Sequence, residues 1–113
     1  MNNQEQLEAI MNLIIHSGNA KSDAMEAIQA AKTGDMGQAE IKIQAAEQSI
    51  VEAHHSQTDM LTKEAQGEKT EITLLTVHSQ DHLMTSIAFC DLAKEVIGIY
   101  GCLQKNSSSS LLG

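Results

Sequence analysis

Leu74-Leu75-Thr76-Val77-His78-Ser79-Gln80-Asp81-His82-Leu83-Met84-Thr85-Ser86 is the stretch that decides what this chain can fold into. No Pro or Gly lies between Thr70 and Ile97, so one unbroken helix can run through it, expected over about residues 70–104. That helix has two apolar faces. One carries Ile72, Leu75, Leu83, Ile87, Cys90, Ala93, Ile97 and Tyr100, and the other carries Leu74, Val77, Met84, Ala88, Leu92 and Ile99. A helix in a monomeric three-helix bundle needs a single apolar stripe. A second stripe asks for burial against something else, most simply copies of itself, and so points to a parallel homo-oligomer. That second face includes His78, Asp81 and Asp91, and His78 looks along its own helix at both Asp81 and His82, because positions three and four apart share a side of a helix.

Two further helical segments precede it. In about residues 4–33, Leu7, Met11, Ile14, Gly18, Met25 and Ile28 recur at helical spacing, with Ile10 and Ile15 widening the stripe. Gly18 is expected to permit a close helix–helix approach. Gly34 suits a left-handed helix end and Asp35 can cap the next helix. From about residue 35 to 63, Met36, Ala39, Ile43, Ala46, Ile50, Ala53, Gln57 and Met60 alternate steps of three and four, a seam of the coiled-coil kind. Residues 64–71, with Gly67 and four charged side chains, read as an exposed connection. The expectation is all-α: an antiparallel three-helix bundle over residues 1–104, followed by a disordered tail over residues 105–113 (KNSSSSLLG).

Composition agrees and excludes several functions. The 113 residues suffice for one small domain. Phe89 and Tyr100 are the only aromatics of the Phe, Trp, Tyr set, and there is no Pro. Seven basic against 15 acidic side chains leave a net charge of −8, with no Arg. Duplex nucleic acid is thereby an unsuitable partner, since its affinity rests on neutralising phosphates. No apolar run approaches the roughly 20 residues of a membrane span, and the polar start MNNQEQLEA is unlike a signal peptide, so a cytoplasmic protein is expected. Cys90 and Cys102, about 18 Å apart along one helix at 1.5 Å per residue, cannot pair within it and read as reduced thiols.

The reactive residues admit more than one chemistry. A neutral imidazole at His78 can attack phosphorus and pass the group onward. Leu74, Asp81 and Ala88 are spaced by sevens, so in a parallel oligomer Asp81 points at the symmetry axis. Carboxylates meeting there must take up protons, admit water or bind a cation, and a hard divalent ion such as Mg²⁺ fits oxygen ligands. Otherwise Asp81 is a solvated surface carboxylate. His82 follows His78 by four, a spacing that lets two histidines share zinc, although Ser79 stands where the HExxH motif needs Glu. A helical metal-binding or scaffold protein with zinc on His78, Asp81 and His82 is therefore the alternative. Thr76, Ser79, Gln80, Thr85 and Ser86 could donate to phosphoryl oxygens or satisfy buried neighbours. His16, His54 and His55 show no such clustering, and His54 and Gln57 sit at or beside the second-helix seam.

VHSQDHLMTS (77–86), with LIIHSGNAKS (13–22) and EAHHSQT (52–58), resembles the lactose/cellobiose/chitobiose class of phosphotransferase-system IIA components. The similarity spans about residues 5–103. It implies a three-helix subunit assembled as a homotrimer of nine helices. It implies a phosphotransferase component in which His78 accepts a phosphoryl group from phospho-HPr. His78 would then donate to a cysteine of the cognate IIB component, for uptake of a β-linked disaccharide through the IIC membrane component. It further implies that Gln80 and His82 support the active histidine, and that Asp81 with its symmetry mates binds a structural divalent cation, Mg²⁺ or similar. His55, the SSSSLLG end and the lack of Arg depart from the family pattern without touching the motif.

Overall fold

A computed structural model of the chain describes residues 2–112, with side chains over residues 2–107. Three helices, α1 (Asn3–Lys32), α2 (Met36–Ala65) and α3 (Leu74–Leu112), run up, down and up in an antiparallel bundle, with no strand among the described residues. The molecule is a rod of 65 × 19 × 19 Å. Helix α1 is the common partner, packed along both others, while α2 and α3 touch each other least.

The turns are set by local chemistry. Asn2 caps α1, its side chain accepting from the Glu5 N–H at 2.8 Å. At the other end Gly34 has φ +91°, its N–H donates to Ala31 O (3.0 Å), and the Asp35 N–H donates to Ala30 O (2.9 Å). That pair of bonds satisfies two carbonyls the helix would leave open. Asp35 then caps α2 by accepting from Gln38 N–H at 3.0 Å, as expected from the sequence. Gly67 repeats the device with φ +93°, its N–H and that of Glu68 donating to Glu64 O and Lys63 O. Helix α3 begins at Leu74, not near Thr70. Thr73 is its cap, accepting from the Thr76 N–H at 3.1 Å, and this bond competes with helical continuation toward residue 70.

The α2 seam is as expected, with Ala39, Ile43, Ala46, Ala53 and Met60 buried. The α1 stripe is not. The buried row is Gln6, Ile10, Leu13, Ser17, Ala20, Ala24, Ala27 and Ala31, whereas Leu7, Met11, Ile15 and Met25 are exposed. Alanines were outweighed by larger apolar neighbours in the pattern, but small side chains are what let α1 lie close to two helices at once. They meet Ala39, Ile43, Ala46, Cys90, Ala93 and Ile97 in one core cluster; Ile10, Leu13, Ala53, Met60 and Leu83 form the other. Gly18 provides no close approach, since a Cβ built there meets nothing within 4 Å. On α3, Leu83, Cys90, Ala93 and Ile97 are buried as expected, but Ile72 and Leu75 are exposed and Thr76 and Ser79 take their place.

The end of the chain, read from the sequence as a tail over residues 105–113, starts within α3. Helix α3 continues past Gln104, and Lys105–Ser107 are helical, because no Gly or Pro interrupts residues 102–112 and extending a helix is far easier than nucleating one. Gly113 and the side chains of residues 108–112 lie outside the described residues. No described helix is long and apolar enough to cross a membrane.

Candidate functional site

The second apolar face of α3 is left open by its own chain. Leu74, Val77, Met84, Leu92 and Ile99 are each at least half exposed, and Asp81 and Ala88 are exposed among them. His78 is exposed on the edge of this face, in the second turn of the helix. His82, one turn on, is half-buried. Their rings meet edge to face, with centroids 5.4 Å apart and planes at 79°. Sequence spacing thus brought His78 and His82 together correctly.

The rings sit on a helix whose polar side chains are turned inward. Ser79 is fully buried and donates to Thr76 O at 2.7 Å. Ser86, also fully buried, reaches His82 O at 2.7 Å and Ser17 O at 3.0 Å, which ties α3 to α1. Thr85 donates to Asp81 O at 2.9 Å. Thr76, Ser79 and Ser86 are therefore committed to buried neighbours and are not free donors beside His78. The Nδ1 of His82 is sealed from solvent without a hydrogen-bond partner, so Nε2 is the nitrogen that can reach the outer face.

Gln80 does not stand beside His78 within one chain. Two residues apart on a helix, the two point to nearly opposite sides, about 200° at 3.6 residues per turn. Gln80 instead faces α2, where Gln57 Nε2 donates to its Oε1 at 2.8 Å and its own Nε2 lies 3.7 Å from Met60 Sδ. A pocket of ≈ 150 Å³ opens at this pair, walled by Met60, Ile72 and Thr76 among others. Gln57 carried a signal in the sequence, a polar residue on an apolar seam. Gln6 carried none, yet it is buried and bridges α1 to the start of α3 through Glu71 O (2.9 Å) and Thr76 Oγ1 (3.3 Å).

Among the described residues no three His, Cys, Asp or Glu side chains are arranged to hold an ion. The zinc reading of His78, Asp81 and His82 accordingly finds no support. The Asp81 carboxylate makes no hydrogen bond or ion pair with the described residues, so its oxygens are uncommitted. Of the remaining histidines, His16 is half-buried, and His54 and His55 are exposed, with His54 Nδ1 3.5 Å from Thr58 Oγ1. Cys90 and Cys102 are both free thiols.

A family model described as "PTS system, Lactose/Cellobiose specific IIA subunit" matches residues 8–101. The lichenan-specific phosphotransferase enzyme IIA component of Bacillus subtilis (strain 168) is 46% identical over 109 residues, covering 96% of this chain and 99% of that one. The cellobiose-specific EIIA component of Lactococcus lactis subsp. lactis is 51% identical over 89 residues, 79% of this chain and 77% of that one. Among solved structures, the cellobiose-specific enzyme IIA from Bacillus anthracis superposes with a TM-score of 0.87 at 46% identity, covering 93% and 94% of the two chains. The IIA(chitobiose)–HPr complex, known from solution structures, gives 0.77 at 35% identity, covering 88% and 96%. The up-down-up bundle, the exposed imidazole on α3 and these matches have one reading: the chain belongs to the lactose/cellobiose-specific IIA family and is a phosphotransfer component of the sugar phosphotransferase system.

Proposed function

We propose that His78 is the phosphoryl carrier. The observation that supports this most is its placement: an exposed imidazole on a fixed helix, edge-on to a second imidazole whose other nitrogen is buried. A ring nitrogen of His78 attacks phosphorus, the P–N bond of phospho-HPr breaks, and a new P–N bond forms on His78. In the second step a cysteine thiolate of the cognate IIB component takes the group, forming a P–S bond, and the His78 nitrogen regains its lone pair. Little more is required of the protein than position and hydrogen-bond donors for the phosphoryl oxygens. His82 Nε2 and the Gln80 amide are the candidate donors. The sugar belongs to the β-linked disaccharide class of the relatives, carried by a IIC membrane component, with this chain working in the cytoplasm.

The test is intact mass after incubation with phosphoenolpyruvate, enzyme I and HPr. Wild type should gain one phosphoryl group and His78→Ala none, with helical content unchanged. A His78→Ala protein that still gains the group would refute the assignment.

The open α3 face supports assembly as a parallel homotrimer around Leu74, Val77, Asp81, Met84 and Ala88. Three uncommitted Asp81 carboxylates would then meet on the axis, an all-oxygen donor set suited to a divalent cation such as Mg²⁺. Such an ion neutralises the repulsion between the carboxylates and takes no part in phosphoryl transfer. Asp81→Leu should abolish metal uptake while keeping or strengthening the trimer, since the repulsion leaves with the charge. Monomers at every concentration tested by analytical ultracentrifugation would make the ion the main cohesive element and overturn this account.

A further inference from the structure

The geometry points to Gln57 as a positioning residue that acts across the subunit boundary, holding Gln80 so that its amide N–H groups meet the phosphoryl group on His78 of the adjacent copy. This inference rests on the trimer and the His78 phosphocarrier just described. Around α3, at about 100° per residue, Leu74, Val77, Asp81, Met84 and Ala88 cluster about one direction. His78 then lies about 80° to one side of it and Gln80 about 80° to the other. These are the two flanks that face each other between neighbouring helices of a parallel assembly. Within its own chain Gln80 is turned away from His78; between copies the two are brought together. The pocket of ≈ 150 Å³ at Gln57 and Gln80 opens on that flank, with Met60, Ile72 and Thr76 in its walls. Ile72, 74% exposed, is poised at its edge for cover by a neighbour.

The orientation of the amide is decided by what Gln80 touches. A thioether sulfur only accepts, so the Gln80 atom 3.7 Å from Met60 Sδ is the nitrogen. The atom 2.8 Å from Gln57 is therefore the oxygen, and Gln57 Nε2 is the donor. Of the two N–H groups on Gln80, one is spent on a weak acceptor and one is free. A phosphoryl group presents acceptors only, so a flipped amide would turn its oxygen toward negative charge. Gln57 prevents that flip.

The experiment measures the rate of phosphoryl acceptance from phospho-HPr by rapid quench and intact mass, with circular dichroism and sedimentation to verify fold and assembly. Gln80→Ala should slow acceptance roughly tenfold, as removal of a charge-assisted hydrogen bond does. Gln57→Met should slow it several-fold, and Gln57→Glu more, because a carboxylate draws the Gln80 N–H groups to itself. In the Gln80→Ala background, Gln57→Met should add nothing. Mixed trimers give the crossing test. Gln57→Met chains assembled with a several-fold excess of His78→Ala chains should regain the wild-type rate, since each intact His78 then faces an intact Gln57. A Gln57→Met effect that persists without Gln80, or that excess His78→Ala chains do not relieve, would overturn the inference. Wild type that accepts no phosphoryl group would instead refute the phosphocarrier reading beneath it.

Discussion

Replacing Gln6 by Ala should unfasten the start of α3, the segment that carries His78. Gln6 is only 7% exposed, and its Nε2 donates to Glu71 O at 2.9 Å. Its Oε1 accepts from Glu71 N–H at a long 3.4 Å. With Ala in place, Glu71 O still accepts from Thr76 Oγ1 at 3.1 Å, and Thr76 Oγ1 still meets Thr73 Oγ1 at 3.0 Å. Glu71 is exposed, so water can replace the weaker bond. The net loss is one good neutral hydrogen bond, about 1 kcal/mol. Truncation also removes about 0.8 kcal/mol of methylene burial. About 2 kcal/mol of stability should therefore go, read from urea unfolding at fixed protein concentration. Amide exchange should rise most over residues 76–80, because the Thr73 cap loses the contact that holds residue 71 beneath it. Acceptance of phosphoryl from phospho-HPr should slow in parallel. A loss below about 0.5 kcal/mol, the range of ordinary surface changes, with unchanged exchange at residues 76–80, would refute the clasp. Gln29→Ala, at an exposed position, is the control.

Gly34→Ala should cost about 1–2 kcal/mol, because φ is +91° and the new Cβ meets only Gln104 Nε2 at 3.9 Å, so the penalty is backbone strain and not collision. Gly18→Ala, inside α1 with open space around the new methyl, should instead add about 0.5–1 kcal/mol, and a loss on urea unfolding would place a neighbour against that surface. Lys94→Met, which removes the 2.7 Å pair with Glu47 between α3 and α2, should change stability by under about 1 kcal/mol because both partners are half exposed. Burial pushes the Cys90 thiol above its ordinary 9.0, so the folded state keeps its proton longer than the unfolded one. Stability from this group is full below pH 9 and declines as pH rises above it. Cys90→Ala should flatten that alkaline decline, and an unchanged slope would show that other groups cause it.

The chain's own residues were enough to determine the class of fold, the α2 seam, the Gly34–Asp35 turn and the pairing of His78 with His82. Each depends on spacing along one helix or on chemistry within a few residues, and such information is local. The face of α1 was decided by tertiary structure. Between the row of Leu7, Met11 and Met25 and the row of Ala20, Ala24, Ala27 and Ala31, hydrophobicity favours the first, but only the second is thin enough to lie between two helices. Tertiary structure likewise turned Ser79 and Ser86 inward and paired Gln57 with Gln80 across helices 23 residues apart in sequence. A polar side chain's partner is set by whichever neighbour burial brings within about 3 Å, and no periodicity along a single helix encodes that.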